Sequence, residues 1–523
     1  MNSWSFLSLV VSLLIFLPIF LIIYNFNIES ENWLHIRQNL LMKYIYSTLY
    51  LVFGVGILST IIGVGSAWFV TCHEFHGRKY LEWILILPMT IPTYIAAYSY
   101  YDIVEILNPF FNWCRINIGI KETIDIENFL IHLIVIILFS FVLYPYVYLS
   151  VRASLLISGN RLIESANTLG VSSNNIFKTL ILPITKPAII AGLSLVIMET
   201  LNDYAAVEYF GISTLTIGIF RSWFGMHDMA SALKLSSYLI LFVFFLLGIE
   251  KMYSKREKYH NVRGSGNTFK RIPIGKETTI MVLIFCSIPF LFGFLIPVGR
   301  LFTWLIYSNF YFDNVNLFSI TLNTIFISLV SCIFIIFVAY SINFTRNYYH
   351  NKILKKISQL AILGYSIPGA IIAIGILKLN RSINELSNLI IIGSIFGLVF
   401  AYLVRFLAVA WQPIQSSMKK QCTSINQASR ILNGNPIRSS LNINLPILKK
   451  PLLLTFLILF IDISKELPLT LILRPFNFDT LATFTYDLIN QAQFFQSALP
   501  SILIILISLP AIFIINKEIG SEA

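Results

Sequence analysis

The chain has 523 residues, 57% of them hydrophobic and 12% charged, with a net charge of +12 and a mean hydropathy of +0.77. A soluble globular domain carries about 25% charged residues, so this composition excludes one and makes the bilayer the solvent. The positive balance does not point to nucleic acid, because the basic residues follow the loops of a membrane topology instead of forming a patch.

The first apolar run, Phe6 to Tyr24, has no basic segment ahead of it and no small-residue cleavage site. It is long enough to span, so it reads as a transmembrane helix and not a signal peptide. Further runs of spanning length follow near 48–71, 81–106, 129–151, 187–213, 233–250, 279–299, 321–344, 359–378, 388–411, 451–473 and 496–515, which gives about twelve helices. With the N-terminus inside, the inner loops carry 24 Lys and Arg and the outer segments 8. That asymmetry predicts cytoplasmic N- and C-termini. The inner loop 412–450 has six basic residues and no acid.

The expected fold is an all-α polytopic membrane protein made of two homologous six-helix halves, 1–250 and 279–523. The polar segment 251–278 between them contains Gly264-Ser-Gly266 and reads as a cytoplasmic linker. No G-x-x-x-x-G-K-[ST] pattern occurs, so the chain is not expected to hydrolyse nucleotide itself. The five cysteines, Cys72, Cys114, Cys286, Cys332 and Cys422, stand singly, which gives neither a zinc site nor a disulfide framework.

The halves are joined by a repeat that keeps its register. Glu164-Ser-Ala166-Asn-Thr-Leu-Gly170 leads to Leu180-Ile-Leu-Pro183 and then to Glu199 and Asp203. Gln427-Ala428-Ser-Arg-Ile-Leu-Asn433 leads, 263 residues later, to Ile443-Asn-Leu-Pro446 and then to Asp462 and Glu466. Ile91-Pro92 corresponds to Ile367-Pro368, and Ser231-Ala232-Leu233 to Ser497-Ala498-Leu499.

Residues 160–169 are good helix formers that end at Gly170, and a second helical stretch leads to Pro183. Asn433 is the next most tolerant residue for the same cap. The spacing Glu-x-Ala-x3-Gly-x9-Leu-x-Leu-Pro resembles the cytoplasmic signature of ABC importer permeases, in which a short coupling helix docks on an ATPase subunit. That resemblance implies coupling roles for Glu164, Ala166, Gly170, Pro183, Gln427, Ala428, Asn433 and Pro446. One copy alone would also suit an amphipathic loop lying on the bilayer.

Acids within a span are costly and face a bundle interior or a wet cavity. Glu199 and Asp203 share a helix face, as do Asp462 and Glu466. If the halves are related by a pseudo-twofold axis, all four converge near it. Hard oxygen ligands suit a hard cation, and Tyr204 would add a phenolate. Lys465, three residues after Asp462, offers the opposing reading of a neutralised structural network.

Met198-Glu-Thr-Leu-Asn-Asp-Tyr204, Thr214 to Gly225, Lys465-Glu-Leu-Pro468 and Arg474-Pro-Phe-Asn-Phe-Asp-Thr-Leu-Ala-Thr483 resemble the fused two-half permeases of ferric-iron ABC transporters. The resemblance runs from about residue 48 to 515. It implies a multi-pass protein of the bacterial inner membrane that receives Fe(III) from a periplasmic binding protein. It also implies work with an ATPase dimer on the cytoplasmic face, with ATP and Mg on that partner and no cofactor on this chain, and the two fused halves make one chain per complex the simplest arrangement. A polyamine, thiamine or sulfate permease is the alternative cargo reading, and a secondary transporter a more distant one. The acids suit an anion poorly but do not distinguish iron from a polyamine.

Overall fold

The computed structural model describes residues 3–27, 30–100, 102–168, 177–254, 271–308, 317–349, 352–387, 393–420 and 435–521. The long helices are α1 (Ser3–Tyr24), α2 (Leu41–Cys72), α5 (Ile120–Thr168), α6 (Leu182–Asn202), α9 (Met229–Ser254), α10 (Lys276–Tyr307), α11 (Leu317–Tyr349), α14 (Ile395–Lys420) and α18 (Ala498–Ser521). Each of these nine is long and apolar enough to cross a membrane, among the described residues.

Two further spans are bent. Arg78–Thr90, which includes α3 (Arg78–Ile84), meets α4 (Thr93–Ser99) at 91°, and Lys356–Gly364, which overlaps α12 (Lys352–Ala361), meets α13 (Gly369–Ser387) at 111°. The cause is the same in both. Proline drives the residue before it out of the helical region, and Ile91 (φ −89°, ψ 122°) and Ile367 (φ −107°, ψ 128°) are both extended. The sequence span 451–473 is also divided, into α15 (Lys449–Ser464) and α16 (Pro468–Leu473). Its partner in the first half divides alike, α6 being followed by α7 (Ala205–Tyr209).

The repeat continues beyond these breaks. Thr214 caps α8 (Leu215–Phe220) and Thr480 caps α17 (Leu481–Asn490), each through its side-chain oxygen. Thr48 on α2 accepts from the Leu215 N–H at 2.9 Å, and Thr324 on α11 accepts from the Leu481 N–H at 2.8 Å.

The two halves are clasped by an exchange of first helices. α1 packs chiefly against α11, α12 and α13 of the second half, whereas α10 packs against α2, α4 and α5 of the first. The approach is close enough to require glycine at Gly375, where a Cβ would lie 2.7 Å from the Pro18 carbonyl. On the other side Arg300 pairs with Asp102, and the Tyr100 hydroxyl donates to the Phe292 carbonyl at 2.6 Å. Both hydrophobic cores therefore draw residues from both halves.

Within 251–278, α9 runs on to Ser254 and α10 begins at Lys276. Just before α10, β2 (Ile272–Pro273) pairs in parallel with β1 (His73–Glu74). A stretch with no apolar periodicity is thus anchored by backbone hydrogen bonding, which leaves no hydropathy signal.

Candidate functional site

The breaks in α6/α7 and α15/α16 are built from acids. α6 ends where the Asp203 N–H donates to the Glu199 carbonyl, and the Asp203 carboxylate then accepts from the Ala206 N–H at 2.9 Å. In the second half the Glu466 carboxylate accepts from the Leu469 N–H at 3.0 Å, with Pro468 in the first turn of α16. Each acid satisfies an N–H that a helix start leaves open and lies at the positive end of the new helix. Placing the chain break there removes the carboxylate from the helix face and turns it toward the centre of the protein.

The two proline bends meet the two acid breaks. Thr93, one residue after Pro92, donates its hydroxyl to Asp203. Gly369, one residue after Pro368, donates its N–H to the Asn202 side-chain oxygen at 2.8 Å, and that oxygen also accepts from Arg405 at 3.0 Å. Arg405 in turn pairs with Glu466 at 2.5 Å. Asn202 ends α6 of the first half, while Gly369, Arg405 and Glu466 belong to the second, so this knot ties the halves together.

Glu199, Asp203, Tyr204, Asp462 and Glu466 all line one cavity of about 50 Å³ together with Tyr94, Arg405 and Lys465. A water needs about 10–15 Å³ of such space, so the cavity has room for roughly three to five waters or a small ion with part of its hydration. Asp203, Asp462 and Glu466 are buried. Lys465 Nζ lies 3.3 Å from Asp462. The Glu199 carboxylate makes no hydrogen bond or ion pair among the described residues. The lining thus carries four acids against two bases, and one acid is free to meet a guest.

Arg405, Asn202, Thr93 and Gly369 join the site beyond the residues expected from the sequence. Arg405 had a signal, since it is the single charged residue in the span 388–411 and an intramembrane charge marks a site or its partner. The other three carried none, because each acts through a contact made only in the folded state. A Cβ at Gly369 would collide with Arg405 Nη1 and stand 2.8 Å from Glu466 Oε1. Gly369→Ala should therefore lower stability by about 1–3 kcal/mol, read as an earlier thermal unfolding of the protein in lipid. Gly248→Ala, with open space around it, should leave the transition in place.

Among the residues expected to couple, Glu164 and Ala166 lie on the backbone of α5, which runs unbroken to Thr168. Gly170, Gln427, Ala428 and Asn433 fall outside the described residues. Pro183 starts α6, and Pro446 lies in a short helix, Leu445–Ile447, ahead of α15. A π-helical turn precedes both prolines, at Phe177–Ile181 and at Ser440–Asn444.

Residues 59–259 match the family of binding-protein-dependent transport system inner membrane components. Over 479 residues the chain is 24% identical to the Fe(3+)-transport system permease protein FbpB 2 of Haemophilus influenzae, covering 90% of this chain and 89% of that protein. It is 28% identical over 162 residues to the sulfate transport system permease protein CysT of Salmonella typhimurium, covering 31% of this chain and 56% of that one. It is 26% identical over 235 residues to the spermidine/putrescine transport system permease protein PotB of Haemophilus influenzae, covering 42% and 80%.

Proposed function

We propose that this chain, a multi-pass inner membrane component of the binding-protein-dependent transport family, is the permease of a ferric-iron ABC importer. The observation that carries the reading is the end-to-end similarity to an Fe(3+)-transport permease, joined to a small inter-half cavity with an excess of carboxylates. The chain is a transport subunit and not an enzyme. ATP is hydrolysed on a separate ATPase dimer, which docks at the coupling segments around Glu164 and Gln427. A binding protein loaded with Fe(III) docks at the opposite face, and both termini of this chain lie in the cytoplasm.

The cavity suggests how the chain handles its cargo. Arg405 and Lys465 neutralise two of the acids while the site is empty, which keeps a group of carboxylates in a low-dielectric interior affordable. A trivalent ion entering between the halves competes with these bases for the same oxygens. Binding and release are thereby coupled to breaking and remaking ion pairs across the interface. A site that exchanges one partner for another holds its cargo without trapping it, as passage requires.

The decisive experiment measures ATP hydrolysis by the complex in lipid with the binding protein iron-loaded or empty. Stimulation by the iron-loaded form alone is expected. Stimulation by a polyamine-loaded or sulfate-loaded partner instead would leave the importer standing and remove iron as its cargo.

The two coupling segments should contribute unequally, since Gln427 lacks the carboxylate of Glu164. Glu164→Ala is expected to reduce transport more than Gln427→Ala, measured as uptake at equal amounts of assembled complex. Equal losses would count against unequal grips on the ATPase.

A further inference from the structure

Beside the acid cavity, on the side remote from Pro183 and Pro446, stands a second group of oxygen atoms that the repeat does not explain. The Tyr204 hydroxyl donates to Glu208 Oε1 at 2.6 Å, the Tyr486 hydroxyl donates to Glu208 Oε2 at 2.8 Å, and the two phenol oxygens are 3.3 Å apart. Tyr204 follows the α6 break and Glu208 lies on α7, while Tyr486 comes from α17 of the other half. Stacking on Phe220, with ring centroids 3.6 Å apart, fixes Tyr204.

We propose that Tyr204, Glu208 and Tyr486 form a holding site for a trivalent cation, through which Fe(III) passes on its way to the acid cavity; this rests on the ferric reading above. The oxygen spacings of 2.6, 2.8 and 3.3 Å bracket the roughly 2.9 Å edge of an octahedron with metal–oxygen bonds of about 2.0–2.1 Å. Hard oxygen donors select hard cations. On binding, each phenol gives up its proton to solvent, and two phenolates with one carboxylate carry three negative charges. They cancel the charge of a trivalent ion, which is what a site inside a low-dielectric protein needs.

Two observations separate this from a hydrogen-bonded staple between the halves. The positions that correspond by the repeat are Leu467, Leu471 and Phe220, so the oxygens were not inherited with the duplicated frame. Tyr94 lines the adjoining cavity, is 4% exposed, and its hydroxyl has no hydrogen-bond partner. A buried hydroxyl without a partner is costly, and this one belongs to the lining of the acid cavity. Tyr204 lines that same cavity, which makes the triad its neighbour.

The test titrates the full chain in lipid nanodiscs with Fe(III) nitrilotriacetate and reads the visible phenolate-to-iron charge-transfer absorption. The wild type should develop the band, and Ga(III), trivalent and colourless, should remove it. Tyr204→Phe and Tyr486→Phe should each lose most of it. Glu208→Gln should weaken apparent affinity by at least the roughly tenfold that loss of an outer-shell partner costs. Tyr50→Phe, on the exposed side of α2, should keep the band. No band in the wild type, or a band that both Tyr variants retain, overturns the proposal. The wild-type band and its displacement by Ga(III) need no variant to fold. Should the band be missing while iron-loaded binding protein still stimulates ATP hydrolysis, this site falls and the ferric reading stands. Should neither signal appear, both fall.

Discussion

Replacing Arg405 by methionine should destabilise the protein by about 3–5 kcal/mol, the cost of leaving one partner of a buried ion pair behind. Arg405 is 4% exposed and binds Glu466 and Asn202 with the same nitrogen, so its removal strands a carboxylate and leaves the Asn202 oxygen with Gly369 alone at the inter-half contact. Methionine fills much of the volume, which confines the loss to charge and hydrogen bonding. The double change Arg405→Met with Glu466→Gln should recover a large part, because neither member of this pair then leaves a buried charge behind. Thermal unfolding in lipid reads both variants. An Arg405→Met protein that unfolds with the wild type would mean that Glu466 is already neutral in the folded state, and the pair would then hold nothing together.

The largest effect on transport is expected from converting Glu199, Asp203, Asp462 and Glu466 together to their amides. A unit charge about 4–8 Å from another contributes on the order of 2–4 kcal/mol at an effective dielectric constant near 20. A trivalent ion multiplies that figure, and Arg405 and Lys465 remain in the cavity as repelling charges. Iron uptake should fall by at least about 100-fold. Amides keep the shape and the acceptor oxygens for Ala206 and Leu469, but they leave Arg405 and Lys465 without counter-charges, so uptake is read per assembled complex. Uptake at the wild-type level in an assembled quadruple variant would remove these acids from the pathway. Restoring Glu199 alone should return the largest share of activity, since its carboxylate holds no direct hydrogen bond or ion pair that a cation must displace.

What could be read from the sequence followed from signals that are local. Leu-Pro, Ile-Pro and the paired acids keep their spacing in both halves because each fixes a backbone event, a helix start, a bend or a break. Those events recur at Pro183 and Pro446, at Ile91 and Ile367, and at Asp203 and Glu466. The knot formed by Asn202, Gly369 and Arg405 depends instead on which elements become neighbours. The exchange of α1 and α10 was hidden for a related reason. A span apolar on all sides, such as Phe6 to Tyr24, does not indicate which face meets protein and which meets lipid. The Tyr204–Glu208–Tyr486 group was half visible. Tyr204 stands beside the acids, but Tyr486 comes from 282 residues away and has Phe220, with no oxygen, at its counterpart in the repeat.

The clasp of first helices also sets a timetable for biogenesis. α1 is synthesised ahead of the other described spans in chain order, yet Ile15, Ile19 and Ile22 on its buried face are covered chiefly by helices that begin at Leu317 and beyond. Until some 300 further residues have been inserted, that face has only lipid and α9, whose Ser237 donates to the Ile22 carbonyl at 3.3 Å. Lipid is an adequate host for isoleucine, so α1 can wait without penalty. Arg405 and Glu466 do not share this tolerance, and the chain delivers them late, within 61 residues of each other. The apolar spans can thus collect in the bilayer in any order, while the charged centre is completed only when the last of its helices arrives.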